Sequence, residues 1–304
     1  MSLRGAGLAS YLEGVALFEE AGLDTAWCAQ RFGVDALTMF AVAGASTSRI
    51  AFGTSVIPAY SRHPLVLASQ ALTTQAATGG RLRLGIGSSH RVLVEGALGL
   101  SYEQPATHLR EYLSVLGRLL AGEEFAYQGA FVYVDTTTSF GAATVADAGA
   151  PPVYVGTMFP RSLRAAGELA DGVATWLVGP RTLAEVIVPT LTEAASEASR
   201  ARPKVVAGLP VAVCSAAEAT RQADLVNQHL ARFVALPVYE KVLAREGATG
   251  PADLAAIGDE ETVAARLLEF AAEGVDEVQA SCFGNRATYE RTARLLGQLA
   301  RSND

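Results

Sequence analysis

An amphipathic helical stretch, a glycine, then a short apolar run rich in β-branched residues: this unit recurs along the chain and limits its fold more than any other feature. Ser10 and Glu13 have capping-box spacing, Leu12, Val15, Ala16 and Phe18 follow on a helical face, and Gly22 ends that helix before the apolar run 23–28. Helix-compatible 36–46 precedes the run 50–57, and 65–78 stops at Gly79-Gly80 ahead of 82–86. Gly172 separates helix 162–170 from run 173–177, Gly274 separates 262–273 from 275–281, and 152–156 and 205–214 are two further runs. Runs that are apolar on both faces and alternate with helices predict an α/β protein whose parallel sheet is covered by helices. The seven runs and the chain length suit a TIM-like (β/α)8 barrel. Its eighth strand has to come from the short, glycine-rich residues 2–8, and an open doubly wound sheet is the competing arrangement. Two stretches interrupt the alternation. A hairpin pattern around Gln128-Gly129 opens an insertion at about 123–150, after the fourth strand when 2–8 is counted as the first, and extra helical segments fill about 215–258, after the seventh. Neither has linker-like composition, so residues 1–304 read as one barrel domain.

The residues exclude many chemistries. With 24 basic against 31 acidic side chains and no Lys/Arg cluster, no nucleic-acid partner is expected. No apolar stretch approaches the roughly 20 residues of a membrane helix. Cys28, Cys214 and Cys282 lack C-x-x-C spacing and read as core thiols, which together with the missing signal-peptide pattern implies a cytoplasmic protein. There is no phosphate loop of the G-x-x-x-x-G-K type, no H-E-x-x-H and no G-x-S-x-G. His63, His90, His108 and His229 are far apart in sequence, so no metal centre is expected. Gly85-Ile86-Gly87 runs into Ser88-Ser89-His90 and does not complete a dinucleotide fingerprint. Such a chain borrows its chemistry from a bound cofactor.

In a parallel barrel the active site lies at the carboxyl ends of the strands. Those ends carry Gln30-Arg31, Ser55-Val56 with Arg62-His63, Ser88 to Arg91, Gly156-Thr157-Met158 with Arg161, and Trp176 to Arg181. Five arginines on one rim of a chain with net charge −7 point to an anionic ligand. Small residues at Gly156, Thr157 and Met158, between a strand and a helix, let backbone N–H groups approach a phosphate. His63 and His90 are the rim groups suited to exchange protons with a substrate, and Trp27 and Trp176 have the shape to stack on a planar ring.

Gly53 to Pro58, Arg62-His63-Pro64-Leu65, Ala71 to Arg81, Leu84 to Gly87, Ala166 to Gly172 and Val206 to Pro210 together resemble the bacterial luciferase-like monooxygenase superfamily. The likeness is greatest to its oxidoreductases that use the deazaflavin coenzyme F420. It implies a TIM-like barrel with an insertion after the fourth strand and a non-proline cis peptide at Ser55-Val56. It implies a cofactor phosphate held by the backbone of Gly156, Thr157 and Met158, with Arg62 or Arg161 pairing the anionic tail. A homodimer is also implied. The implied activity is hydride transfer between F420 and a small organic substrate lined by Gln30, Arg31, Ser88, Trp176 and the 136–150 region. An FMN-dependent monooxygenase and a non-catalytic flavin- or deazaflavin-binding protein are the alternatives. Several relatives carry an acidic residue and a histidine after the second strand; here Gln30-Arg31 stand there, and neither serves as a base near neutral pH.

Overall fold

The computed structural model describes residues 1–138 and 149–301. Most of the predicted specificity segment 136–150 therefore lies outside the described residues. The strands in chain order are β1 (Thr25–Cys28), β2 (Ala51–Thr54), β3 (Ile57–Pro58), β4 (Leu82–Gly87), β5 (Ala126–Gln128), β6 (Tyr133–Asp135), β7 (Val153–Gly156), β8 (Gly172–Trp176), β9 (Lys204–Val213), β10 (Ala256–Gly258) and β11 (Glu277–Ser281). Parallel pairing runs β1–β2–β4–β7–β8–β9–β11, and β3 continues the path of β2 along β4. Residues 1–3 close the ring. Trp27 N–H donates to Met1 O at 2.8 Å, Leu3 N–H to Trp27 O at 2.7 Å, and Ser2 N–H to Ala280 O at 2.7 Å. The sheet is thus a barrel and not an open doubly wound sheet.

The expected eighth strand at 2–8 shrinks to a single bridge at Ser2, and helix Leu8–Ala21 begins directly after it. Ser10 explains the early turn. Its hydroxyl accepts from the N–H groups of Ala6 and Gly7 at 3.1 and 3.3 Å, so it sits inside the first turn and is not the cap. Gly22 closes that helix at φ +88°, a conformation that favours glycine. The outer helices include Ala36–Gly44, Pro64–Ala77, Pro105–Leu120, Pro160–Leu169, Val188–Glu197, Glu260–Ala272 and Arg286–Arg301. Asp35 and Asp259 start two of them by accepting from the N–H of Thr38 and Thr262, each at 2.9 Å.

Large and small residues alternate inside the barrel. A Cβ on Gly53 would lie 2.6 Å from Trp27 Cδ2, one on Gly172 3.0 Å from Tyr154 Cζ, and one on Gly208 3.0 Å from Trp176 Cε3. Each of these glycines therefore leaves the volume that an aromatic ring from a neighbouring strand fills. Trp27 and Tyr154 meet edge to face at 5.9 Å and cluster with Ala174 and Val206. Below them Arg83 pairs with Glu277, whose other oxygen accepts from Trp27 Nε1 at 2.7 Å. Trp27, fully buried, is a core residue and does not face a ligand.

Both insertions return to the barrel. Antiparallel β5 and β6 form the expected hairpin, with its turn at 129–132. The Glu111 carboxylate holds that turn by accepting from Ala130, Phe131 and Val132 N–H at 3.0, 2.9 and 3.1 Å. After β9 come helices Ala216–Val234 and Pro237–Glu246, and then β10, which pairs with the end of β9 beyond the part bound to β11. Among the described residues no helix is long and apolar enough to cross a membrane.

Candidate cofactor and substrate site

Thr54 anchors the mouth of the barrel where β2 gives way to β3. Its hydroxyl donates to Gly85 O at 2.8 Å and lies 2.7 Å from Gly85 N, which donates to it. The next peptide, Ser55–Val56, is cis, as the resemblance implied. Val56 then drops into a seat made by three glycines on neighbouring strands. A Cβ would come within 3.3 Å of Val56 Cγ1 at Gly85, 2.9 Å of Cγ2 at Gly87 and 2.7 Å of Cγ1 at Gly156. The weak G-x-G motif of β4 is therefore a packing surface for Val56.

From Gly156 the wall continues through half-buried Thr157 and Met158. The Thr157 hydroxyl accepts from Phe159 N–H at 3.1 Å, and the chain enters helix Pro160–Leu169 with no side chain capping its first turn. Uncapped N–H groups beside a glycine suit an anion. Ser89 at φ +61° and Leu177 at φ +54° follow β4 and β8 at the same mouth. Non-glycine residues held in that left-handed region store strain, which collects at functional sites.

The predicted side chains divide into those that face the mouth and those consumed by the scaffold. His63 caps helix Pro64–Ala77: its Nδ1 accepts from Leu65 N–H at 3.3 Å and its Nε2 lies 2.9 Å from Tyr133 O. Both ring nitrogens are engaged, which leaves none for a substrate proton. Arg62 pairs with Asp35, whose carboxyl is held low by the Thr38 hydrogen bonds and by Arg62 against the opposing effect of burial. Gln30 folds onto its own loop, with Nε2 donating to Arg31 O at 2.7 Å and Oε1 accepting from Ala36 N–H at 3.0 Å. Ser88 donates to Pro105 O at 3.3 Å, and Trp176 is half-buried over Gly208. Arg91 pairs with Glu95, and Arg181 donates to Arg245 O at 2.9 Å. Arg31 and Arg161 are exposed and have no carboxylate partner among the described residues. His90 opens helix Arg91–Gly96, its ring 6.4 Å from Phe233, and partial burial pushes its pKa down so that it is neutral at neutral pH.

Three buried polar atoms near this wall have no partner among the described residues: Tyr60 OH, Arg62 Nη1 and His108 Nδ1. Tyr60 stacks on His108 at 4.1 Å and leans on Tyr102 at 5.3 Å, and burial raises the Tyr60 pKa to about 12. The sequence offered no signal for this group, because His108 lies within an ordinary amphipathic helix. Exposed Phe32, Val92 and Phe159 add an apolar rim. No group of His, Cys, Asp and Glu able to hold a metal exists among the described residues.

This arrangement agrees with what the chain resembles. The sequence is 31% identical over 244 residues to a 5,10-methylenetetrahydromethanopterin reductase of Methanolobus tindarius, covering 80% of this chain and 72% of that one. It is 31% identical over 176 residues to an F420-dependent glucose-6-phosphate dehydrogenase of Microbacterium testaceum, covering 56% and 51%. In structure it superposes on the coenzyme F420-dependent tetrahydromethanopterin reductase of Methanopyrus kandleri with a TM-score of 0.79 at 24% identity, over 98% of this chain and 97% of that one. The sequence profile of the luciferase-like monooxygenases matches residues 1–277, and the chain belongs to that family.

Proposed function

We propose that this protein is an oxidoreductase that binds the deazaflavin coenzyme F420 and transfers a hydride between it and a small organic substrate. The observation that carries this reading is the wall at the mouth: Val56 seated on Gly85, Gly87 and Gly156, running through Thr157 and Met158 into the uncapped first turn of helix Pro160–Leu169. A cofactor with a planar ring and a phosphate tail fits such a surface. Val56 backs the ring, and the open N–H groups of the helix's first turn receive the phosphate. The buried Nη1 of Arg62 and the guanidinium of Arg161, neither with a partner among the described residues, suit an anionic tail. When bound, F420 supplies a two-electron hydride carrier.

The chain's own residues do the rest. Ser55, Val56, Gly156, Thr157 and Met158 position the cofactor, while Phe159 and Phe32 keep water from the reacting face. With both nitrogens of His63 engaged, His90 is the predicted rim imidazole left to exchange a proton, and its neutral state makes it an acceptor in the oxidative direction. Residues 1–304 act as one barrel unit, since one insertion is fastened to an outer barrel helix through Glu111 and the other pairs with the sheet through β10. The three free, buried thiols suit a reducing cytoplasm. A homodimer is supported by two neighbouring surface helices that carry no charge, Ala36–Gly44 and Pro64–Ala77.

Titrating the apo-protein with F420 and, separately, with FMN while following cofactor fluorescence tests the reading. Micromolar or tighter F420 binding with weak FMN binding is expected. Preference for FMN makes the protein a monooxygenase and moves the next assay to oxygen consumption, and binding of neither removes the hydride-transfer reading.

A further inference from the structure

Across the mouth from the Val56 wall, residues from three separated parts of the chain meet around one ring. The guanidinium carbon of Arg4 lies 5.3 Å from the centroid of Phe283, and the His229 ring lies 5.3 Å from the same ring. Strand alternation places this group over the barrel axis. Ser2, Gln279 and Ser281 point inward, in phase with Trp27 and Glu277, which meet inside the barrel, and Gln279 Nε2 and Ser281 Oγ both donate to Ser2 Oγ, at 3.0 and 2.9 Å. Arg4 and Phe283 stand two residues further on, in the same phase. His229 comes from helix Ala216–Val234, whose Phe233, one turn later on the same face, reaches His90 on the far side. That helix face therefore looks down on the mouth.

The charges are uncommitted. Arg4 donates to Cys282 O, a neutral acceptor, and neither Arg4 nor its rim neighbour Arg31 has a carboxylate partner among the described residues. His229 Nδ1 lies 2.7 Å from Leu225 O. A carbonyl only accepts, so Nδ1 carries the hydrogen and Nε2 is the nitrogen left for a ligand. Beneath them Gln279, 5% exposed, has an Oε1 with no donor among the described residues, so the floor is polar and asks for a hydroxyl or water.

We propose that Arg4, His229 and Phe283 form a seat for the oxyanion end of the substrate, a carboxylate or phosphate attached to an apolar carbon body that lies on the Phe283 ring. The seat rests on the hydride-transfer reading only in naming its ligand the substrate. Arg4 gives the fixed charge, Nε2 of His229 gives a second polar contact, and Phe283 gives the apolar contact.

The chain has four histidines, so its imidazole Cε1–H resonances are few enough to assign with His229→Gln. Apo-protein is titrated by NMR with inorganic phosphate, with malonate, and with chloride at matched ionic strength. The expected result is a saturable shift of the His229 resonance with phosphate or malonate and none with chloride; the tighter anion identifies the group. Arg4→Met, which keeps the stem on Phe283, weakens that binding about tenfold or more. Arg4→Lys, which restores a charge, recovers part of it. A His229 resonance that ignores both anions, or moves equally in folded Arg4→Met, overturns the seat. The experiment contains no F420, so failure of cofactor binding leaves its outcome unaffected.

Discussion

At Gly156 the absence of a side chain has a definite purpose. A methyl group there would lie 2.7 and 3.0 Å from the two γ-carbons of Val56, too close for any real Cβ contact. Val56 cannot yield easily, because it is β-branched and Gly85 and Gly87 confine its other side. Gly156→Ala is expected to destabilise the fold by about 1–3 kcal/mol, as overpacking does, and to weaken F420 binding. Gly117, inside helix Pro105–Leu120 with open space around it, is the control: Gly117→Ala leaves stability unchanged or improves it by up to about 1 kcal/mol. Urea midpoints and fluorescence titrations of the two variants measure the difference. The need for glycine is a local backbone requirement, and local motifs make it legible in sequence. What Arg62 and His63 touch is not local. Asp35 and Tyr133 lie 27 and 70 residues from them, so sequence alone shows neither the Arg62–Asp35 pair, which leaves Nη1 open, nor the engagement of both nitrogens of His63, while Arg4 and His229 read as nothing.

Elements were legible in proportion to their length and burial. The seven apolar runs are all strands, because a strand covered on both faces is mostly apolar, with exceptions such as the Arg83–Glu277 pair. The bridge at Ser2, the two-residue β3 and the three-residue β10 are too short to carry a pattern. Helix Arg91–Gly96 was equally silent. The hairpin was visible as alternation, but its fastening was not. Glu111 takes three backbone N–H groups from the turn, and nothing in sequence ties a helix carboxylate to residues 19–21 positions away. Glu111→Gln removes the charge that strengthens those bonds and replaces one acceptor by a donor facing N–H groups. A loss of about 1–3 kcal/mol is expected, confined to the hairpin. Hydrogen exchange checks this: amides of β5 and β6 lose protection, whereas those of β7 and β8 keep theirs. Equal loss in the barrel strands contradicts the local clamp.

Across the whole molecule, charge is distributed unevenly. The chain carries 55 formally charged side chains, 24 basic and 31 acidic, yet none falls within 36–48 or 64–80. Those stretches contain helices Ala36–Gly44 and Pro64–Ala77, which pack side by side on the barrel. Their outer faces present Val42 at 46% and Val66 at 53% exposure among alanine, serine and threonine. A helix facing water normally carries charge opposite its core face, and here neither does. Burial of this face against the same face of a second copy, related by a two-fold axis, accounts for both helices at once. The two readings of the surface separate under one substitution. Val66→Glu on a solvated face changes stability by no more than about 0.5 kcal/mol and leaves the mass untouched. On a dimer face it places a pair of carboxylates in an apolar contact without partners, which is costly enough to drive the copies apart. Sedimentation equilibrium is expected to give about twice the 31.7 kDa chain mass for the parent protein and the single-chain mass for Val66→Glu, with F420 affinity kept because the cofactor wall lies at the barrel mouth. A parent protein that sediments as a single chain, or a Val66→Glu variant that remains paired, removes these helices as the interface.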